Sequence, residues 1–110
     1  MKSEHEFLDP SALPWVRDPD HPGVSERILS RQDGEILTRL ARWDAGLDTS
    51  SQGVIRHDHV EEVYLLEGEL TDLTLGETFT VGHYACRRPR MPHGPYRTTS
   101  GCRMLEIRYH

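Results

Sequence analysis

Turn residues punctuate the second half of this chain so often that long helices have no room there. After Gly46 come GVIR, EEVYLLEG, ELTDLTLG, ETFTVG, HYACRRP and GCRMLEIRY, each short and rich in Val, Ile, Leu, Tyr, Thr or Phe. Gly68, Gly76, Gly82 and Gly101 stand at the joins, where a positive φ costs glycine little. Short β-type runs spaced by about 8–12 residues predict an all-β sandwich or barrel. The chain has 110 residues, which fills a typical domain of ~100–150 residues and leaves no room for a second core.

Composition removes several function classes. No apolar run approaches the ~18 residues that a membrane helix needs. Thirteen basic against 18 acidic residues give a net charge of −5, the wrong sign for neutralising nucleic-acid phosphates. Cys86 and Cys102 show no CxxC spacing, and MKSEHEFLDP lacks the apolar core of a leader. Reduced thiols and a cytoplasmic location are the expectation.

The first half is less regular. Residues 1–24 carry Pro10, Pro14, Pro22, Asp18, Asp20 and Gly23, and they read as an extended N-terminal arm anchored by Trp15 and Val16. Residues 25–110 form the single domain. In EILTRLARWD, residues 35–44, Ile36, Leu37, Leu40 and Trp43 make a helical stripe, whereas a strand would have two mixed faces; the local pattern predicts a helix. The last segment alternates well. Leu105, Ile107 and Tyr109 take one face, and Cys102, Met104, Glu106 and Arg108 the other. That second face is either solvated or a polar barrel lumen, and a lumen would bring Glu106 beside a site.

The chemistry concentrates in HDHVEEVYLLEGE, His57 to Glu69. Residues i and i+2 on a strand share a face ~6.5–7 Å apart, so His57 and His59 can converge on one ion at ~2.1 Å from each imidazole. A straight strand would hold Glu61 ~13 Å from His57, too far to share a metal. Either the chain bends near Asp58–Val60, or the carboxylate ligand is Glu62. His93, in the rigid RRPRMPHGPY segment, can close the shell from a neighbouring strand. His83 has no partner at ligand spacing, and His5, His21 and His110 are expected in solvent.

At these residues the chain resembles a small single-domain cupin. The first motif of that family is G-x5-H-x-H-x3-E-x6-G and the second G-x5-P-x-G-x2-H-x3-N. Glu61 and Gly68 match E-x6-G, and Gly82 and His93 match the outer positions of the second motif. The resemblance implies a double-stranded β-helix, a jelly-roll barrel, in which residues 35–44 form an early strand with Arg39 or Arg42 and Trp43 near the lumen. It also implies a divalent metal ion, Fe(II) foremost, with Zn(II), Mn(II), Ni(II) or Cu(II) as other occupants. Counted back from Glu61, the motif histidines fall on Ile55 and His57, giving His57, Glu61 and His93 as a 2-His-1-carboxylate set. With a shortened linker they fall on His57 and His59, giving three histidines and one glutamate. Both sets stay open here.

The second motif departs at Arg88, Arg90 and Arg97, which replace Pro, Gly and Asn. With Arg87, four of the 13 basic residues lie within eleven positions of an acidic chain. They form either a solvated loop or a funnel for an anionic substrate. Arg88, Arg90 and Trp43 are the substrate-binding candidates, and Glu106, Arg97 and Tyr96 the catalytic ones. The expected activity is a non-haem-iron dioxygenase-type reaction on a small anionic or enolisable molecule. A Lewis-acid isomerase, cyclase or lyase and a zinc-bearing sensor are the competing readings. A homodimer is the expected assembly, with the Trp15 arm available to cross to a partner.

Overall fold

The computed structural model describes residues 1–110. Eight strands run antiparallel: β1 (Val16–Arg17), β2 (Val24–Arg31), β3 (Leu37–Trp43), β4 (Val60–Asp72), β5 (Glu77–Thr80), β6 (Tyr84–Arg87), β7 (Tyr96–Arg97) and β8 (Cys102–Tyr109). The only helical pieces are 3-10 turns at Pro10–Ala12 and Ser50–Gln52. The architecture is all-β, as the turn spacing predicts, and forms a jelly-roll barrel, as the resemblance implies.

β4 is the strand both sheets share. Its first part pairs with β6 and β8, and its last part with β5 and β7. The register with β8 shifts between Leu65 and Glu67, and a bulge of this kind bends a strand. Gly68 follows at φ 78°, and a Cβ there would lie 2.0 Å from the Gly101 carbonyl oxygen. Only glycine fits this close approach, which gives the E-x6-G spacing a structural reason.

The helical reading of 35–44 does not survive: Leu37–Trp43 is β3, paired with β2 on one side and β8 on the other. The local pattern misleads because Arg39 points into the barrel. It is 4% exposed, and it is compensated by carboxylates remote in sequence. Its guanidinium donates to Glu106 at 3.1 and 3.2 Å, to Asp18 at 2.8 Å and to Glu26.

The inward face of β8 is the polar lumen that the alternation left as one of two possibilities. Cys102 and Met104 join Val24, Ala41, Val63, Leu65, Leu70 and Tyr96 in the apolar core, with Trp43, Phe79 and Ala85 packed against it. Further along, Glu106 is buried and Arg108 faces Glu61 across the sheet. The lumen is therefore apolar at one end and charged at the other.

The N-terminal arm folds back on its own barrel. Trp15 lies between the guanidiniums of Arg27 and Arg42, 4.3 and 4.5 Å from its ring centroid, an arrangement favoured by cation–π attraction. Lys2 donates to Thr38 at 2.8 Å, and Leu13 accepts from Arg27 at 2.8 Å. Trp15 thus packs its ring on its own β2 and β3. Asp18 carries the arm inward to Arg39.

Burying a guanidinium is tolerable only because it is paired, and deleting one partner of such a pair costs about 3–5 kcal/mol. Arg39→Leu removes the cation that three carboxylates share and is expected to lose stability on that scale in urea unfolding at neutral pH. Asp18 is held below its ordinary range: burial opposes ionisation, but the Arg39 guanidinium and the Asp20 amide outweigh it. In the variant Asp18 loses the guanidinium that lowers its pKa and binds a proton more readily, so the deficit relative to the parent should shrink as the pH falls through the ordinary carboxylate range. A deficit independent of pH would show that Arg39 acts through packing alone.

Candidate metal centre

Bends at Asp58 and His59 precede β4, which starts at Val60. They resolve the distance problem of the straight strand. The His57 Nε2 lies 3.9 Å from Glu61 Oε1, and His57, His59 and Glu61 present ligand-type atoms within 4.8 Å of one another. The His57 and His59 rings stack at 4.7 Å. His59 is 8% exposed and Glu61 is 4% exposed.

His93 arrives from the turn-rich segment after β6. Its ring centroid is 4.9 Å from that of His57. Backbone pairing fixes this approach: Ile55 donates to the His93 carbonyl at 2.8 Å, His93 donates to Ile55 at 3.0 Å, and Arg90 donates to the His57 carbonyl at 2.6 Å. Ile55, at a motif histidine position, thus contributes its backbone to holding His93.

Glu61 is gripped from both neighbouring strands. The register sets it opposite Arg87 on β6 and opposite Arg108 on β8. Arg87 donates to Oε1 at 2.8 Å and Arg108 to Oε2 at 3.0 Å. Burial alone would raise the pKa of this carboxyl, but the two guanidiniums hold it well below the usual range. The three imidazoles are lowered as well, here by desolvation of their charged form: burial lowers the pKa of His57 and His59, and burial with the Arg87 charge pushes His93 down to about 4. Neutral imidazoles beside an ionised carboxylate are the protonation state that metal ligation requires.

Two ring nitrogens fit that use. The Nε2 atoms of His59 and His93 are buried and have no hydrogen-bond partner, an arrangement that costs free energy unless something binds there. His93 Nδ1 shares a 3.1 Å hydrogen bond with the Tyr96 hydroxyl, which also accepts from Arg87 at 2.8 Å. A proton on Nδ1 leaves the Nε2 lone pair available, and partners of this kind fix the ligand tautomer. The donor set therefore fits a divalent cation.

Other sequence candidates separate cleanly. Trp43, Tyr96 and Glu106 line the same chamber as His57, Glu61 and His93. Burial pushes the Tyr96 phenol up to about 12, so it remains protonated at neutral pH, and Glu106 is taken up by Arg39. Glu62 points to the outer face of β4, where the hydroxyls of Tyr84 and Tyr109 donate to it; it is not in the cluster. Arg88, Arg90 and Arg97 are exposed, and Arg90 pairs with Asp58 at 3.3 Å. None of these three lines the chamber. Arg87, Arg108 and Arg39 line it instead. Strand parity carried this signal: Arg108 shares its face with Glu106, and Arg87 is the arginine of the 87–97 group that lies across from Glu61.

A protein-family model described as the ChrR cupin-like domain matches residues 3–108. No curated protein matches the chain. Among solved structures, an RmlC-like cupin from Shewanella frigidimarina is similar at 22% identity, with 97% of this chain and 91% of that one covered and a TM-score of 0.74. The polyketide cyclase RemF from Streptomyces resistomycificus shares 19% identity over 96% of this chain and 79% of its own, with a TM-score of 0.71. An acetylacetone dioxygenase from Acinetobacter johnsonii shares 15% over 94% and 72%, with a TM-score of 0.69. At these identities the likeness is one of fold.

Protein loaded with Fe(II) or Zn(II) is expected to retain about one ion per chain, read by elemental analysis after gel filtration. His57→Ala, His93→Ala and Glu61→Gln should release it, whereas Glu62→Gln and Arg97→Ala should keep it. Tyr96→Phe, which removes the partner of His93, should weaken binding by about 10–100-fold. Retention by Glu61→Gln would take this carboxylate out of the ligand set.

Proposed function

The chain belongs to the ChrR cupin-like family, and from that premise we propose that it is a metal-dependent enzyme of the dioxygenase type. Its ion, Fe(II) foremost, is held by His57, Glu61 and His93, with His59 as the further imidazole. Its substrate is a small anionic or enolisable molecule. When bound, such an ion supplies Lewis acidity and, if redox-active, coordination positions for dioxygen and substrate. The observation that carries the reading is the gathering of His57, His59 and Glu61 ligand atoms within 4.8 Å of one another, with the buried Nε2 atoms of His59 and His93 lacking any hydrogen-bond partner.

The chain's own residues do the remaining work. Tyr96 orients His93, and Arg87 and Arg108 keep Glu61 ionised and aimed. Val63, Leu70, Met104 and Trp43 wall the chamber and limit water, which strengthens every charge interaction inside. The overall reaction breaks one carbon–carbon bond of an enolisable diketone or oxo acid and places both atoms of O₂ in the two carbonyl products, with no external reductant.

Oxygen uptake by Fe(II)-loaded protein with 2,4-pentanedione and a panel of enolisable acids tests this. Substrate-dependent uptake that vanishes in His57→Ala supports it. Metal-dependent exchange of the substrate α-proton without oxygen uptake would move the assignment to a Lewis-acid isomerase or cyclase. Neither activity with a loaded site would overturn the enzyme reading.

A further inference from the structure

The chamber at the cluster is small, about 70 Å³, well below the range of about 300–1,000 Å³ typical of small-molecule sites. It has room for a chelating head and little else. A groove of about 550 Å³ adjoins it, and Val63, Leu70, Arg87, His93 and Tyr96 line both. That volume lies within the range of about 300–1,000 Å³ typical of small-molecule sites.

The sheet topology explains the groove. β6 pairs with β4 over Glu61–Tyr64 and β5 over Glu69–Asp72, so β5, β6 and their connection form one wall. The segment from Met91 to Tyr96 forms the other. The lining is mainly apolar, with Leu65, Leu75, Phe79, Ala85 and Met91. Most of its polar groups are already committed. The Asp72 carboxylate accepts from the Thr74 and Leu75 amides at 2.9 and 3.0 Å, and His83 Nδ1 accepts from the Thr80 amide at 3.0 Å. A sugar or other hydroxyl-rich body would find few free partners there.

Charge decides the head. The buried ion-pair network joins Arg39, Arg87 and Arg108 to Asp18, Glu26, Glu61 and Glu106. Of its members, Arg39, Arg87, Arg108, Glu61 and Glu106 line the chamber, three cations against two anions. An anionic head complements that lining.

We propose that the substrate is an amphiphilic anion: a chelating enolate or oxo-acid head at the cluster, and an apolar alkyl or aryl body in the groove, joined past His93 and Arg87. This rests on the metal-centre reading above and adds the body that the small chamber does not accommodate.

Alkyl hydroxamates test it, because their monoanionic chelating head stays constant while the tail grows. Zn(II)-loaded full chain is titrated calorimetrically with acetohydroxamate, butanohydroxamate and octanohydroxamate. Full burial of each methylene is worth about fourfold in affinity, and partial burial of the longer tail leaves an expected gain of about a hundredfold across the series. Ala85→Trp, which fills the groove from β6, should keep acetohydroxamate binding and abolish the gain. Met91→Glu, at the exposed rim, should reduce the gain and guards against misfolding of the first variant. Acetohydroxamate binding with no gain on lengthening overturns the groove assignment and leaves the metal centre standing. A gain that persists in both variants also overturns it. Failure to retain Zn(II) at all overturns the metal centre and this inference together.

Discussion

A row of opposite charges across one end of the barrel sets the geometry of everything near it. Arg87, Glu61 and Arg108 stand side by side on β6, β4 and β8, and Glu106 and Arg39 continue the line on β8 and β3. Each ion loses several kcal/mol of hydration on burial, and only close, well-aligned partners offset it. A one-residue slip in any of these pairings would send the side chains to the opposite face. It would strand buried charges and drive Tyr64 or Glu62 inward. The network therefore selects one register, and that register puts Glu61 within 3.9 Å of His57.

The two ends of the lumen depend on each other. Val63, Leu65, Leu70, Met104 and Tyr96 supply apolar burial, the main favourable term in folding. The charged end contributes little net stability of its own, since such pairs often only break even against hydrophobic replacements. It is held in place by strands whose other inward residues are apolar. Along β4, Glu61 is followed inward by Val63 and Leu65, and along β8 Glu106 is preceded by Met104 and Cys102. The same two strands bury the core and aim the chemistry, so the ligand positions inherit core rigidity.

What was legible in the sequence follows from how local its cause was. Turn spacing gives the all-β class because each Gly join acts on its own neighbours. The His57–Glu61 cluster is legible because three of its members lie within five residues, and the need for a bend near Asp58 follows from strand rise alone. Segment 35–44 is not legible from its pattern, because Arg39 is buried by partners 13, 21 and 67 positions away. The arginines divide for the same reason. Counting arginines near His93 points to Arg88, Arg90 and Arg97, yet only Arg87 has the strand parity and cross-strand partner that face inward. Arg108 carries the same parity signal through Glu106, and it becomes informative only once that face is known to be a lumen.

The grip of two guanidiniums on Glu61 also shapes what the carboxylate can offer an ion. Each carboxylate oxygen has two lone pairs, so one hydrogen bond to Arg87 and one to Arg108 leave a lone pair on both Oε1 and Oε2. Ligation does not require the arginines to let go. Their charge nevertheless draws electron density from the ligand, and a poorer donor leaves the ion with more of its own positive charge for a substrate. The imidazoles act in the same direction, because burial leaves them neutral and they contribute no anionic charge. A site with one shared carboxylate, neutral histidines and two adjacent guanidiniums keeps a divalent ion strongly Lewis-acidic and favours anions as the remaining ligands. The buried pairs that fix the register are thus also the groups that would set the charge a bound ion presents to its remaining ligands.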